Sequence, residues 1–263
     1  MRKTFYYSDD LNDELAPTVE NLQPLPENYS YGSNIFTRAV SFFLYRFVAF
    51  PLAWCYMKIR FHHSFKNKKA LKGIRGGYFI FGNHTTLLGD ALMPNLLSVR
   101  KRNYIITGEQ ASSLHRLLWL MKTVGNIPLG RTPIQQRKML RSVKKHIAAG
   151  SSVTVFPEAH VWPYYTDIRP FSSASIRYAV LTDAPIVTLT TCFKKRRFTK
   201  TPRIVSFVDG PFYPRKDISH TEAAELLRDE VYSAMKARCN EHSTYSYHKY
   251  VKKDEAAAVA EQS

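Results

Sequence analysis

The chain has 263 residues, 44% hydrophobic and 13% aromatic. That suffices for one sizeable α/β domain with an appended segment and is short for two. Lys and Arg number 38 against 21 Asp and Glu, a formal net charge of +17, which suits polyanionic partners: nucleic acid, anionic lipid or phosphorylated small molecules. Three scattered cysteines without a CxxC (Cys55, Cys192, Cys239) speak against a disulfide framework and a zinc site, and fit a reducing compartment.

Residues 1–34 hold six acids and two bases, with Pro17, Pro24 and Pro26, and read as a flexible acidic leader. Their polar start predicts no cleavable signal. From 35 to 60 the chain turns apolar and aromatic, AVSFFLYRFVAFPLAWCYM between Ala39 and Met57. The length approaches the roughly 20 residues of a membrane span. Arg46 near its middle costs on the order of 2.5–3.5 kcal/mol on insertion scales, and Pro51 is expected to interrupt the helix. The sequence therefore predicts a helical segment lying in one leaflet, monotopic or shallowly inserted, with Arg38, Lys58 and Arg60 reaching lipid phosphates. A buried pair of core helices is the alternative.

Residues 61–240 alternate short apolar runs with helical patterns. Strands are expected at YFIF (78–81), YIIT (104–107), VTVF (153–156), PIVTLTT and RIVSFV. Helices are expected through ALMPNLLS, over SSLHRLLWLMKTV (112–124), from Thr132 to Ala149 with Gly150 as its stop, over 173–181, and from the capping pattern Ser219-x-x-Glu222 to about Arg238. The fold class predicted is α/β: a layered, largely parallel or mixed sheet with flanking helices, preceded by the membrane-associating segment. Residues 241–263 read as a loose polar tail.

Ligands in such sheets gather beyond the carboxyl ends of the strands, and three segments carry chemistry. In GNHTTLLGD (82–90), His84 is either a general base steered by Asp90 or a polar loop residue beside a helix capped by Asn83 and Thr85. In GNIPLGR (125–131), Arg131 either binds phosphate in a fork or is solvated before a helix. In VFPEAH (155–160), Glu158 either orients a hydroxyl or a neighbouring arginine, or sits at a helix start. His84, Asp90, Glu158 and His160 lack zincin-like spacing, so no metal is expected.

Together the three blocks resemble the glycerolipid acyltransferase family, which includes the 1-acylglycerol-3-phosphate acyltransferases. Its blocks are Asn-His, four residues, Asp; Gly-x-Ile-Pro-x-x-Arg; and Phe-Pro-Glu-Gly. Ala184-Pro185-Ile186-Val187 is similar to a fourth, and the resemblance spans about Tyr78 to Val208. It implies His84 as base, Asp90 as its orienting partner, Arg131 as phosphate ligand and Glu158 as the acid that positions the acceptor. Asn83 and Gly125, in the same blocks, go with the substrate site. The implied reaction is direct attack of a lysophosphatidate-like hydroxyl on an acyl thioester, from acyl-CoA or acyl-carrier protein, with no cofactor. The implied partners are a membrane lipid acceptor, that donor and an anionic membrane surface at the cytoplasmic face. No nucleic acid is expected.

The chain departs from the pattern in two places. Five residues, not four, separate His84 from Asp90, a turn of about 100° on a helix. Ala159-His160-Val161 replaces the usual Gly-Thr-Arg, leaving His160 or Arg169 to supply the missing base. The acceptor could thus be another lysophospholipid or glycerol-3-phosphate. A non-enzymatic basic protein that binds nucleic acid or anionic membranes through RKR (100–102) and KKRR (194–197) is the reading from another class.

Overall fold

The apolar runs become the middle of a seven-stranded mixed sheet. The computed structural model describes residues 2–17, 22–32, 34–98, 101–108 and 117–254. Among them the strands are β1 (Thr4–Tyr7), β2 (Ser64–Lys66), β3 (Tyr78–Gly82), β4 (Asn103–Thr107), β5 (Asn126–Pro128), β6 (Ser152–Val155), β7 (Ile186–Lys194), β8 (Arg203–Phe212) and β9 (Lys249–Lys252). The large sheet runs β2-β8-β7-β3-β6-β4-β5. Strands β3 to β7 are mutually parallel, whereas β8 is antiparallel to β7 and carries β2 parallel to itself.

The helices are α1 (Ile35–Phe43), α2 (Phe50–Phe61), α3 (Gly89–Leu97), α4 (Leu118–Thr123), α5 (Pro133–Ala148), α6 (Arg177–Thr182) and α7 (His220–His242). Alternation along β3 sorts them into two layers. Phe79 and Phe81 face the cluster built by Met139, Val143 and Ile147 of α5 and Leu227, Val231 and Met235 of α7. Tyr78 and Ile80 face the opposite cluster, with Met57 and Phe61 of α2 and Met93 and Leu97 of α3. Each such side chain, taken out of water, contributes about 1.5–3 kcal/mol before entropy is charged against it. The fold is therefore the layered α/β arrangement expected.

Helix α5 starts where its residues dictate. The Thr132 side chain accepts from the Gln135 amide, and the Gln135 side chain reaches back to the Thr132 amide. The expected helix over 112–124 is seen as α4, and residues 112–116 lie outside the described residues.

Pro51 does not interrupt the N-terminal helix. Helical structure runs without a break from Ile35 to Phe61, and residues Leu44–Ala49, just before the proline, are π-helical. A widened turn there moves the carbonyl that the proline ring would otherwise strike. This helix of 27 residues is long and apolar enough to cross a membrane. Its outer face is bare: Ile35, Phe36, Leu52 and Ile59 are 86%, 73%, 65% and 75% exposed. Buried Met57 and Phe61 hold the inner face of α2 to the sheet.

Residues 4–7 of the leader and 249–252 of the tail, expected to be loose, form a second sheet. β1 and β9 pair in parallel, Thr4 opposite Lys249 through Tyr7 opposite Lys252. The small sheet is anchored on Trp162, which stacks on Tyr250 at 5.3 Å and 2° and meets Tyr7 at 4.7 Å. Tyr and Phe in a segment with few aliphatic residues supply this contact, and reading acidity as disorder overlooked it. Further along, the carbonyls of Leu25 and Pro26 accept from the Gln135 amide group.

Candidate active site

β3 and β6 lie side by side in parallel, so the segments that follow Gly82 and Val155 meet at one end of the sheet. The Trp162 amide donates to the His84 carbonyl at 3.1 Å, and the Tyr164 amide to the Thr85 carbonyl at 2.8 Å. First and third blocks are thereby fastened together.

His84 Nδ1 lies 2.8 Å from Asp90 Oδ2. The extra residue between them is absorbed before the helix begins. Residues 83–86 are irregular, 87–88 form a turn, and α3 starts at Gly89. Asp90 is 1% exposed, yet its carboxylate is fully partnered. Oδ2 also accepts the amides of Thr85 (2.8 Å) and Thr86 (2.9 Å), and Oδ1 accepts the Thr86 hydroxyl at 2.6 Å. Those donors hold the carboxylate in one orientation. An acceptor at Nδ1 places the imidazole proton there and leaves Nε2 as the lone-pair nitrogen. Gly89 makes the clamp possible, since a Cβ at that position would collide with Thr86 Oγ1.

The imidazole is held from the side by Phe156, ring centroids 4.7 Å apart and planes 19° apart. Its side chain keeps 20% exposure, so the ring is gripped and still reachable. Leu87 and Leu88, in the turn between His84 and Asp90, stand 56% and 52% exposed and give the mouth an apolar lip.

Glu158 is fully buried and works from behind. Oε2 accepts the His84 amide at 3.2 Å, and Oε1 the Arg169 amide at 3.2 Å. The Arg169 guanidinium lies 3.5 Å from Oε2 and donates to the carbonyls of Glu158, His160 and Asp10. It also stacks on Trp162 at 4.9 Å. Burial pushes the Glu158 carboxyl up, while Arg169 and the two amides pull it down.

Several residues expected at the substrate site make bonds within the fold. Arg169, 1% exposed, is committed to the third block and does not replace a surface base. Glu158, expected to position the acceptor, is buried and accepts the His84 backbone amide. Asn83, also 1% exposed, closes two bonds with the Thr191 backbone of β7, at 2.7 and 3.0 Å. Gly125 sits before β5, at the amino end of that strand, where φ of 103° and the close Asn103 carbonyl exclude a side chain. His160 is half-buried, its Nδ1 3.2 Å from Glu14 Oε2 of the leader.

Arg131 is exposed and shares the carboxyl end of the sheet with His84, its amide bonded to Gln135 Oε1 at 3.0 Å. Strand order places β5 three strands from β3, about 14 Å at ordinary strand spacing. The residues not foreseen are Thr86, Phe156 and Gln135. Thr86 carried a signal, a hydroxyl four residues before an aspartate.

A buried carboxylate thus bonds a half-open imidazole at the carboxyl end of parallel strands. The sequence matches the acyltransferase family over residues 58–191, and the chain belongs to that family. Its fold is similar to that of a 1-acyl-sn-glycerophosphate (LPA) acyltransferase, PlsC, from Thermotoga maritima. The TM-score is 0.52 at 16% identity, covering 77% of this chain and 86% of that chain. No curated protein matches the sequence.

Proposed function

We propose that this acyltransferase moves a fatty acyl group from an acyl thioester, carried by coenzyme A or acyl-carrier protein, to the hydroxyl of a lysophosphatidate-like acceptor. The pairing of His84 Nδ1 with buried Asp90 at 2.8 Å carries this reading. His84 Nε2 takes the hydroxyl proton as the oxygen attacks the thioester carbonyl. The tetrahedral intermediate collapses, the carbon–sulfur bond breaks, and the imidazolium returns the proton to the leaving thiolate. An ester and a free thiol result, with no cofactor in the balance. Asp90 keeps the tautomer and stabilises the imidazolium.

Arg131 serves as the phosphate ligand, its long side chain and the acceptor's own length spanning the gap to His84. Leu87, Leu88 and the apolar outer face of residues 35–61 keep the mouth at a bilayer surface, shallowly inserted at its cytoplasmic face. A second acceptor class, another lysophospholipid or glycerol-3-phosphate, is favoured by the third block, where Arg169 is buried and His160 faces Glu14.

The experiment incubates purified protein with acyl-CoA or acylated carrier protein and radiolabelled lysophosphatidate, other lysophospholipids or glycerol-3-phosphate. Ester formation with lysophosphatidate is expected, and none with any acceptor would refute the reading.

A further inference from the structure

A large cleft lies away from His84. Its volume is about 1000 Å³, and residues 28–32, α1, α4, β4, β5 and α5 wall it. Arg102 and Tyr104 open β4, Asn126 opens β5, and Ser151 precedes β6. The cleft therefore sits toward the amino ends of the strands, opposite to the end that carries His84 and Arg131. α5 runs from the carboxyl ends at Pro133 to the amino ends at Ala148, and its second half forms one wall.

Six permanent cations line this space: Arg38, Arg102, Lys122, Lys138, Arg141 and Lys145. Among the described residues no carboxylate does. Arg102 and Lys122 are used as struts, Arg102 on the Ser41 hydroxyl and the Thr123 carbonyl, Lys122 on the carbonyls of Ser30 and Gly32. Among the described residues, Arg38, Lys138, Arg141 and Lys145 form no ion pair with a carboxylate. An amphipathic helix ordinarily spreads its bases over a solvated face. Here they converge between aromatic walls, Tyr29, Tyr31 and Tyr104, and such low-dielectric walls focus the positive potential.

We propose that this cleft binds the phosphate-bearing headgroup of an anionic bilayer lipid, at a site separate from the acyl acceptor's. Its rim chooses the bilayer as the source of the phosphate. Ile35 and Phe42 of α1 line it, and the apolar face of the same helix continues outside it. Trp119, 56% exposed, stands at the edge, where an aromatic ring suits a membrane interface. The helical run from Ile35 to Phe61 also connects the two ends of the sheet. Its start walls the cleft, and Phe61 at its end meets Tyr164, just beyond the third block, ring centroids 6.5 Å apart. One membrane-facing helix thus presents headgroup cleft and His84 mouth to the same surface.

The test is co-sedimentation of the full chain with vesicles of phosphatidylcholine alone, or with added phosphatidylglycerol. The wild type is expected to prefer the anionic vesicles. K138Q/R141Q/K145Q, in the cleft, weakens that binding on the order of a hundredfold. R137Q/K144Q/R177Q, with the same charge loss outside it, weakens it far less. Ala39→Trp, which narrows the cleft without changing charge, also weakens it, and decides the matter should the first triple variant not fold. Equal losses in the two triple variants would assign the effect to diffuse charge and overturn the site. Coenzyme A binding that disappears in K138Q/R141Q/K145Q while vesicle binding persists would assign the cleft to a soluble ligand and overturn it as well. The readout is binding, so failure of the acyl-transfer reading would leave this result standing.

Discussion

The Thr86 hydroxyl donates to Asp90 Oδ1 at 2.6 Å, on the carboxylate whose other oxygen holds His84 Nδ1. That bond leaves Asp90 oriented by its own loop, so the His84–Asp90 unit is assembled before any substrate arrives. Thr86→Val leaves Oδ1 buried without its hydroxyl partner. Acyl transfer is expected to lose roughly tenfold in kcat with KM little changed. Thr86→Ser should restore it, and steady-state kinetics on the three proteins checks the split.

His84→Ala removes the proposed base, and a loss of about a hundredfold to ten-thousandfold in kcat is expected. Asp90→Asn should fall in the same range, because an amide can donate to Nδ1 and favours the wrong tautomer. Near-wild-type turnover in His84→Ala, measured with radiolabelled acceptor, would remove the assigned chemistry.

Arg131→Ala should raise KM for a phosphate-bearing acceptor by about tenfold or more, the worth of a charge-assisted bond. KM for the acyl donor should hardly move. Equal effects on both would reassign Arg131 to the donor.

Glu158 and Arg169 predict a stability effect rather than a specificity effect. Arg169→Ala strands a fully buried carboxylate, at a cost of about 3–5 kcal/mol. Thermal unfolding should show a large fall in Tm. A variant that kept its Tm and lost only acceptor affinity would return Arg169 to the substrate site.

Acid lability follows from His63, 3% exposed, whose Nε2 lies 3.0 Å from the Ser206 hydroxyl. Burial, with Lys58 adding to it, holds its imidazole down to about 4. In the unfolded chain it titrates near 6.5. Between those values the unfolded state binds more protons, so stability is complete above pH 6.5 and falls as pH drops toward 4. The loss at pH 4 is about 3 kcal/mol. The Tm of wild type should drop more between pH 7 and 4.5 than that of His63→Gln.

Strands and helices with strong periodicity were legible: YFIF, VTVF, α5 with its Thr132 cap, and α7 from Ser219. β2 and β5 were not, because three-residue strands carry no period, and β5 lies inside GNIPLGR. The π turn before Pro51 left no trace either, since proline in an apolar run looks the same whether a helix breaks or widens. At the site, His84 was legible as a motif residue. Whether Asp90 could reach it was a matter of loop geometry, because the 100° argument applies only inside a helix and the extra residue falls before α3. Arg169 misled for a simple reason: sequence shows its charge but not its burial under Trp162.

The pairing of β1 with β9 sets an order on the assembly of the chain. Trp162, packed on Tyr250 and bonded through its indole to the Asp13 carbonyl, carries the amide that fastens to His84. Residues 4–7 are synthesised some 240 residues before their partner strand and must wait for it. Until residue 252 has emerged, the third block lacks its outer brace. A nascent chain halted after α7 would hold the complete large sheet and an unfinished enzyme.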